Sequence, residues 1–187
     1  LKVAAVVLAA GASTRLGEAK QLVMLGGERL LERAVRVAGE AGLEPAIVVL
    51  GARAEEIQAA CALGGATVVL NESWTEGMAS SVRAGIAVTG VEVDGYVLMT
   101  CDQPAVTAEH VRRLCALEAG ETVASRYLGK LGVPAFFPAS RRGELVALRG
   151  DAGARSLLIG ARAIELAGGE LDVDTPESLA EARQRFG

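Results

Sequence analysis

The chain has 187 residues, 51% hydrophobic and 22% charged, which excludes a disordered chain and suggests one domain over residues 1–187 at roughly 150 residues per domain. Nineteen Lys and Arg against 23 Asp and Glu leave a net charge of -4, the wrong sign for a dedicated nucleic-acid binder. Aromatics are only 3%, so the core must be built from Ala, Val, Leu and Ile. No apolar run approaches the ~20 residues of a membrane-spanning helix, so no membrane partner is expected. Val3–Ala10 is too short to span and lacks the basic region of a signal peptide. Leu1 stands at the start instead of Met, and a trimmed start is the expectation. Cys61, Cys101 and Cys115 have no CxxC spacing and read as three reduced cysteines of a cytoplasmic protein.

Apolar runs alternate with amphipathic stretches along the chain. Val3–Leu8 is continuous and β-branched, as in a strand buried on both faces. Leu30–Ala41 has helical spacing and is closed by Gly42. Ala46–Leu50 is a second strand, Glu55–Leu63 a short helix stopped by Gly64 and Gly65, and Thr67–Leu70 a third strand. Ala79–Val88 reads as a helix and Tyr96–Thr100 as a fourth strand. Thr107 is the expected N-cap of a helix over Glu109–Glu118.

Farther on, Pro134 and Pro138 flank a short apolar run, and Ser140–Leu148 looks helical. Asp151 could cap a helix through Leu158, and Ile164–Ala167 could be a strand. Thr175-Pro176-Glu177 starts a last helix to about Arg185. The rhythm predicts an open, mostly parallel sheet with helices on both faces, a three-layer α/β/α fold. In such sheets a ligand sits beyond the carboxyl ends of the strands, where the strand order reverses.

The loop Leu8-Ala9-Ala10-Gly11-Ala12-Ser13-Thr14-Arg15-Leu16-Gly17-Glu18-Ala19-Lys20 follows the first strand. Its small residues let backbone N–H groups approach an anion, and Arg15 and Lys20 can neutralise it. Lysine is otherwise confined to Lys2 and Lys130, against 16 arginines. An ammonium in this loop therefore hints at a specific need. The P-loop spacing fails, because five residues separate Gly11 from Gly17, and the dinucleotide pattern fails at Ser13.

This loop resembles the LAAGxSxRxGxxK signature of the MobA-like nucleotidyltransferases, and further segments resemble their molybdenum cofactor cytidylyltransferase branch. These are Asn71–Gly85 (N-x-x-W-x-x-G-M-x-x-S-x-x-x-G), Asp102-Gln103-Pro104, Gly150–Arg155 (G-D-x-G-A-R) and Asp174–Glu177 (D-T-P-E). Five motifs in order cover nearly the whole chain. The resemblance implies the nucleotide-diphospho-sugar transferase fold, which is Rossmann-like. It implies transfer of CMP from CTP to the phosphate of molybdopterin, with pyrophosphate released, using Mg²⁺ or alternatively Mn²⁺. A molybdoenzyme that receives the product is the further partner. Other readings are a guanylyltransferase of the same cofactor, a sugar-phosphate nucleotidyltransferase, or a non-catalytic protein that delivers the cofactor.

By this resemblance, Leu8, Ala9, Ala10 and Gly11 hold the triphosphate through backbone amides. Arg15, Lys20 and Asp102 are the catalytic set. Asn71, Gly77, Ser80 and Ser81 contact base and ribose, although either serine could merely cap its helix. Gln103, Asp151, Arg155 and Trp74 are placed near the acceptor. Trp74 could equally be core, and Asp151 could pair with Arg155 on one helix face.

Asp102, at the end of a buried strand, and Asp174 are the expected metal ligands, with Asp174 also a candidate N-cap. Asp172 alternates with Asp174 on one face of an extended segment, and solvent exposure is its favoured reading. His110 is expected on the surface and Cys101 as a packed thiol, so neither offers a nucleophile–base pair.

Overall fold

Beyond the paired hairpin described below, the strands among the described residues join in one mixed sheet of seven. The computed structural model describes residues 1–116 and 120–187. In chain order the elements are β1 (Val3–Ala9), β2 (Met24–Leu25), β3 (Glu28–Arg29), α1 (Leu30–Glu40), β4 (Ala46–Leu50), α2 (Ala54–Ala60) and β5 (Thr67–Leu70). They continue with α3 (Met78–Val88), β6 (Gly95–Thr100), α4 (Ala108–Cys115), β7 (Val123–Tyr127), β8 (Lys130–Pro138), α5 (Arg142–Ala147), β9 (Arg162–Glu165) and α6 (Pro176–Phe186). The sheet order is β5-β4-β1-β6-β8-β7-β9, and β2 and β3 form a separate hairpin. β5, β4, β1 and β6 run parallel, β8 is antiparallel to both β6 and β7, and β9 is parallel to β7.

All seven residues of β1 are buried, and their period of two divides them between two cores. Val3, Ala5, Val7 and Ala9 pack with Leu31, Val37, Ile57, Val111 and Leu114 from α1, α2 and α4. Ala4, Val6 and Leu8 pack with Val82, Ile86 and Leu145 from α3 and α5. Helices thus cover both faces of the sheet, the expected three-layer α/β/α architecture. The layer under α3 is tight: a Cβ on Gly85 would strike the side chains of Val6 and Val49.

A third, smaller core joins distant segments. Leu16 of the loop after β1 packs with Val23, Leu25, Leu171, Val173, Leu179 and Ala182. This cluster holds the cationic loop against the segment that carries Asp172 and Asp174. One backbone bond adds to it, from Val173 N–H to the Asp102 carbonyl at 2.9 Å. Three chain regions are therefore brought to the carboxyl edge of the sheet beside β1 and β6, between which the strand order reverses.

Several expectations need correction. The helix expected over Glu55–Leu63 ends at Ala60, because Cys61 turns to extended backbone. Asp151 caps no helix: Gly150 and Gly153 take positive φ, and only a short 3-10 turn, Arg155–Leu158, follows. The late strand is Arg162–Glu165 and not Ile164–Ala167. Thr107 does cap α4, accepting from the His110 N–H, while the expected helix end at Glu118 lies outside the described residues. Thr175, and not Asp174, caps α6 by accepting from the Ser178 N–H at 3.2 Å.

Candidate functional site

The loop after β1 is held from several directions. Ser13 takes φ +55 and its carbonyl accepts from the N–H groups of Leu16 and Gly17 at 3.2 Å each. The Ser13 hydroxyl oxygen accepts from the Lys20 N–H at 3.1 Å. The chain then enters a short 3-10 turn, Lys20–Leu22, which aims Lys20 at the sheet edge. Its Nζ lies 2.6 Å from Asp102 Oδ2 and 2.6 Å from Asp174 Oδ1. Arg15 reaches Asp174 at 3.4 Å.

Burial alone would weaken the hold of Lys20 on its proton. The attraction of Asp102 and the hydrogen bonds of both carboxylates outweigh that, and its pKa stands above the ordinary lysine value. The ammonium is therefore a fixed positive charge.

Asp172 is exposed toward the same opening. Although it keeps contact with solvent, the cleft around it displaces part of its water, and this first, then the charges of Asp102 and Asp174, push its carboxyl up to about 7. The expected alternation is met: Leu171 and Val173 are buried, and Asp172 and Asp174 line one cleft.

Two cavities meet at this point. A recess of about 170 Å³ is lined by Leu8, Ala9, Ala10, Gly11, Trp74, Gly77 and Ser81, together with Lys20, Met78, Thr100 and Asp102. A wider cleft of about 880 Å³ has Arg15, Gln103, Tyr127, Lys130, Arg155, Asp172 and Asp174 among its polar walls. Leu131, Val133, Leu158 and Ile159 supply apolar surface to it. Lys20, Met78, Thr100 and Asp102 belong to both cavities. A donor in one and an acceptor in the other would meet across these side chains.

The expected site residues divide accordingly. Trp74 stands in the recess with the residues of the first loop, not in the wide cleft with Gln103 and Arg155. It closes on Gly51, where a Cβ would lie 2.6 Å from the Trp74 Cβ. Asn71 and Ser80 are buried and turned into protein. Asn71 Nδ2 donates to Ser80 Oγ at 2.8 Å and Ser81 Oγ at 3.0 Å, and Ser80 Oγ donates to the Gly77 carbonyl at 2.7 Å. They shape the loop between β5 and α3, and Gly77 and Ser81 reach the recess. Asp151 lines neither cavity and lies against Gly77. No Asp151–Arg155 ion pair exists among the described residues, because no shared helix holds the two.

Gln103 is buried, and its amide donates to the Gly169 carbonyl at 3.1 Å. The expectation that His110 lies on the surface is overturned: it is 5% exposed, and its Nε2 lies 2.7 Å from Ser125 Oγ. The α4 face that carries His110 packs on β7, so a polar first turn does not mean an exposed one. Cys101 is the expected packed thiol, pushed up to about 12 mainly by burial.

Sequence reasoning missed Gln21, Arg33 and Tyr127. Gln21 is buried beneath the first loop. Arg33 ties α1 to the segment after Asp102 through the Pro104 and Val106 carbonyls at 2.7 and 3.0 Å. Tyr127 hydrogen-bonds the Val133 carbonyl at 3.2 Å in the cleft wall. None of the three carried a linear signal beyond its residue type.

The donor set at the junction can be tested against a divalent metal. Two carboxylate oxygens converge on one cation position, now held by an ammonium, and their separation is at most twice the 2.6 Å contact. Hard oxygen ligands of this kind suit Mg²⁺ or Mn²⁺ completed by substrate oxygens and water. Among the described residues no group of three or more His, Cys, Asp or Glu forms a complete protein cage.

Residues 5–165 match the MobA-like NTP transferase domain. The chain belongs to this family. It is 30% identical over 195 residues to the purine catabolism protein PucB of Bacillus subtilis, covering 96% of this chain and 95% of that one. It is 32% identical over 167 residues to nicotine blue oxidoreductase of Paenarthrobacter nicotinovorans, covering 83% and 81%. It is 25% identical over 191 residues to molybdenum cofactor cytidylyltransferase of Escherichia coli, covering 97% and 95%. Among solved structures, the manganese complex of Rv0371c from Mycobacterium tuberculosis superposes with a TM-score of 0.83 at 32% identity, over 100% of each chain. Membership supports a nucleotidyltransferase, and the differing names of these relatives leave the acceptor to be argued from the site. No helix among the described residues is long and apolar enough to cross a membrane.

Proposed function

We propose that the protein, acting as a single domain, transfers CMP from CTP to the phosphate of the molybdopterin form of molybdenum cofactor. The observation that carries this reading is the shared wall of Lys20, Met78, Thr100 and Asp102 between a small recess and a wide cleft. The recess suits the nucleotide: it is bounded by the backbone of Leu8–Gly11 and closed by Trp74. The cleft suits a larger phosphorylated acceptor. Arg155 and Lys130 offer charge for its phosphate, and Leu131, Val133 and Leu158 offer apolar surface for its ring system. Likeness to the Escherichia coli cytidylyltransferase supports the choice of base and acceptor.

An oxygen of the acceptor phosphate forms the new bond to the α-phosphorus as the bond to the pyrophosphate oxygen breaks. The attacking oxygen is already anionic, so no general base is needed. Catalysis then rests on positioning and charge stabilisation. Arg15 and Lys20 offset charge on the α-phosphate and on the departing pyrophosphate. Asp102 and Asp174 would hold Mg²⁺ or Mn²⁺, which would offset the negative charge of the triphosphate. The manganese in the related Rv0371c complex supports a divalent ion of this type.

The test is pyrophosphate release with Mg²⁺, each NTP in turn and molybdenum cofactor. CTP should give the fastest, acceptor-dependent release. Equal or better use of GTP would assign the protein to guanylyl transfer. Release that depends on a sugar phosphate instead would replace the acceptor. Absence of release, together with no heat-stability shift by any NTP, would support a non-catalytic cofactor carrier.

A further inference from the structure

One buried side chain holds the carbonyls on the phosphate side of the loop after β1. Gln21 is only 1% exposed, directly after Lys20 in the same 3-10 turn. Its Nε2 donates to the Ala9 carbonyl at 2.8 Å and to the Gly11 carbonyl at 3.2 Å. Both amide hydrogens are thus spent on the loop. The orientation of the amide is settled by chemistry: rotated by half a turn, its oxygen would face two carbonyl oxygens. The carbonyl between these two, Ala10, accepts from the Ala52 N–H at 3.0 Å. Three successive carbonyls are therefore withdrawn from the recess.

The N–H groups follow from this. In a planar trans peptide the C=O and the next N–H point in opposite directions. Fixing the Gly11 carbonyl on Gln21 turns the Ala12 N–H away from Gln21. Fixing the Ala10 carbonyl on Ala52 turns the Gly11 N–H away from Ala52. Among the described residues neither N–H has an acceptor. Meanwhile Gln21 Oε1 is buried without a hydrogen-bond partner. An unpaired buried acceptor is costly, so a Gln at this place is not explained by packing.

We propose that Gln21 is a positioning residue that pre-organises the loop after β1, presenting the Gly11 and Ala12 N–H groups to the triphosphate of a nucleoside triphosphate. It acts through the backbone and does not itself touch substrate. The same turn thereby sets both halves of the phosphate site: the Lys20 ammonium from one residue and the loop amides from the next. The inference rests on reading the recess as the nucleotide site, and not on which base or acceptor is used.

Gln21→Met keeps the length and removes both donors, while also removing the unpaired oxygen. It should fold, and it should weaken binding of inorganic pyrophosphate and of CTP on the order of tenfold, as two neutral hydrogen bonds would. The KM for the acceptor should stay near wild type, a split that a general loss of structure would not produce. Gln21→Glu places carboxylate oxygens against the two carbonyls and should bind less well still. Its binding relative to wild type should recover toward low pH, where a protonated carboxyl regains one donor. This pH recovery decides the matter should the Met variant fail to fold. Wild-type affinity for pyrophosphate and CTP in the folded Met variant, or a Glu variant with no pH recovery, would overturn the role of Gln21 alone. A wild-type protein that binds neither pyrophosphate nor any NTP would overturn the nucleotide reading and this inference with it.

Discussion

Asp102 and Asp174 lie 72 positions apart in the chain and meet on one ammonium, each with an oxygen 2.6 Å from Lys20 Nζ. On the proposed reading of these carboxylates as metal ligands, Lys20 occupies the position of the shared divalent ion and would yield it on metal binding. Two opposite effects follow for Lys20→Met. Turnover should fall roughly 10- to 150-fold, as expected for one lost charge-assisted phosphate contact. Binding of Mn²⁺ in the absence of nucleotide should become tighter, because the carboxylates no longer have a resident cation. Titration of Mn²⁺ by its paramagnetic signal reads the second effect, and unchanged or weaker binding would refute the displacement.

The two carboxylates are not equivalent. The Asp102 side chain is 11% exposed and that of Asp174 is 28% exposed. Asp102 also follows directly on β6, whereas Asp174 is carried by an irregular segment beside the sheet, tied to Asp102 by the Val173 N–H bond. Asp102→Asn should therefore lower the rate more than Asp174→Asn, with losses of roughly 10- to 150-fold. Both should raise the Mg²⁺ concentration needed for half-maximal rate. A larger loss at Asp174 would reverse the ranking of the two ligands.

The central strands β1, β4 and β6 were legible because they are near-continuous apolar runs, which a doubly covered sheet requires. β7 was not read, since Val123–Tyr127 mixes Ser and Arg into the run. β8 was read only near its prolines, because Gly132 and Pro134 look like breakers. The register shift beside Ala124 and Ser125 accommodates them. Lys20, Asp102 and Asp174, singled out by loop chemistry and motif order, are brought together by the fold. Gln21 was not singled out, because the carbonyls that make a buried amide useful come together only in three dimensions. His110 was misread because its neighbours Glu109 and Arg112 face water while its own ring faces β7.

Gly77 should tolerate no side chain. It takes φ +108 and ψ 176, a region open essentially to glycine alone, and a Cβ there would strike Asp151 and the Gly150 carbonyl. Gly77→Ala should cost about 1–3 kcal/mol and lower Tm by about 2–12 °C. It should also raise the nucleotide KM, because Gly77 lines the recess. Gly143→Ala is the control: that glycine sits in α5 with nothing near its would-be Cβ, so the change should be neutral or slightly stabilising. Equal Tm values for the two variants would contradict the steric argument.

His110 makes stability depend on pH. Ser125 Oγ donates to the Pro134 carbonyl at 2.6 Å, so the His110–Ser125 bond requires a hydrogen on Nε2, and the neutral ring supplies it. Burial first, and the nearby Arg113 second, hold the imidazole down at about 4 against its ordinary 6.5. Between those values the unfolded chain binds a proton that the folded protein refuses. Stability from this group is therefore fully present above about pH 6.5 and is lost as pH falls toward 4, by up to about 3 kcal/mol. His110→Gln keeps an N–H for Ser125 but does not titrate. Wild type should lose Tm more steeply than this variant between pH 7 and 4.5, while the carboxylates common to both contribute equally. Parallel Tm curves for the two proteins would show that the His110 ring is not held neutral by the fold.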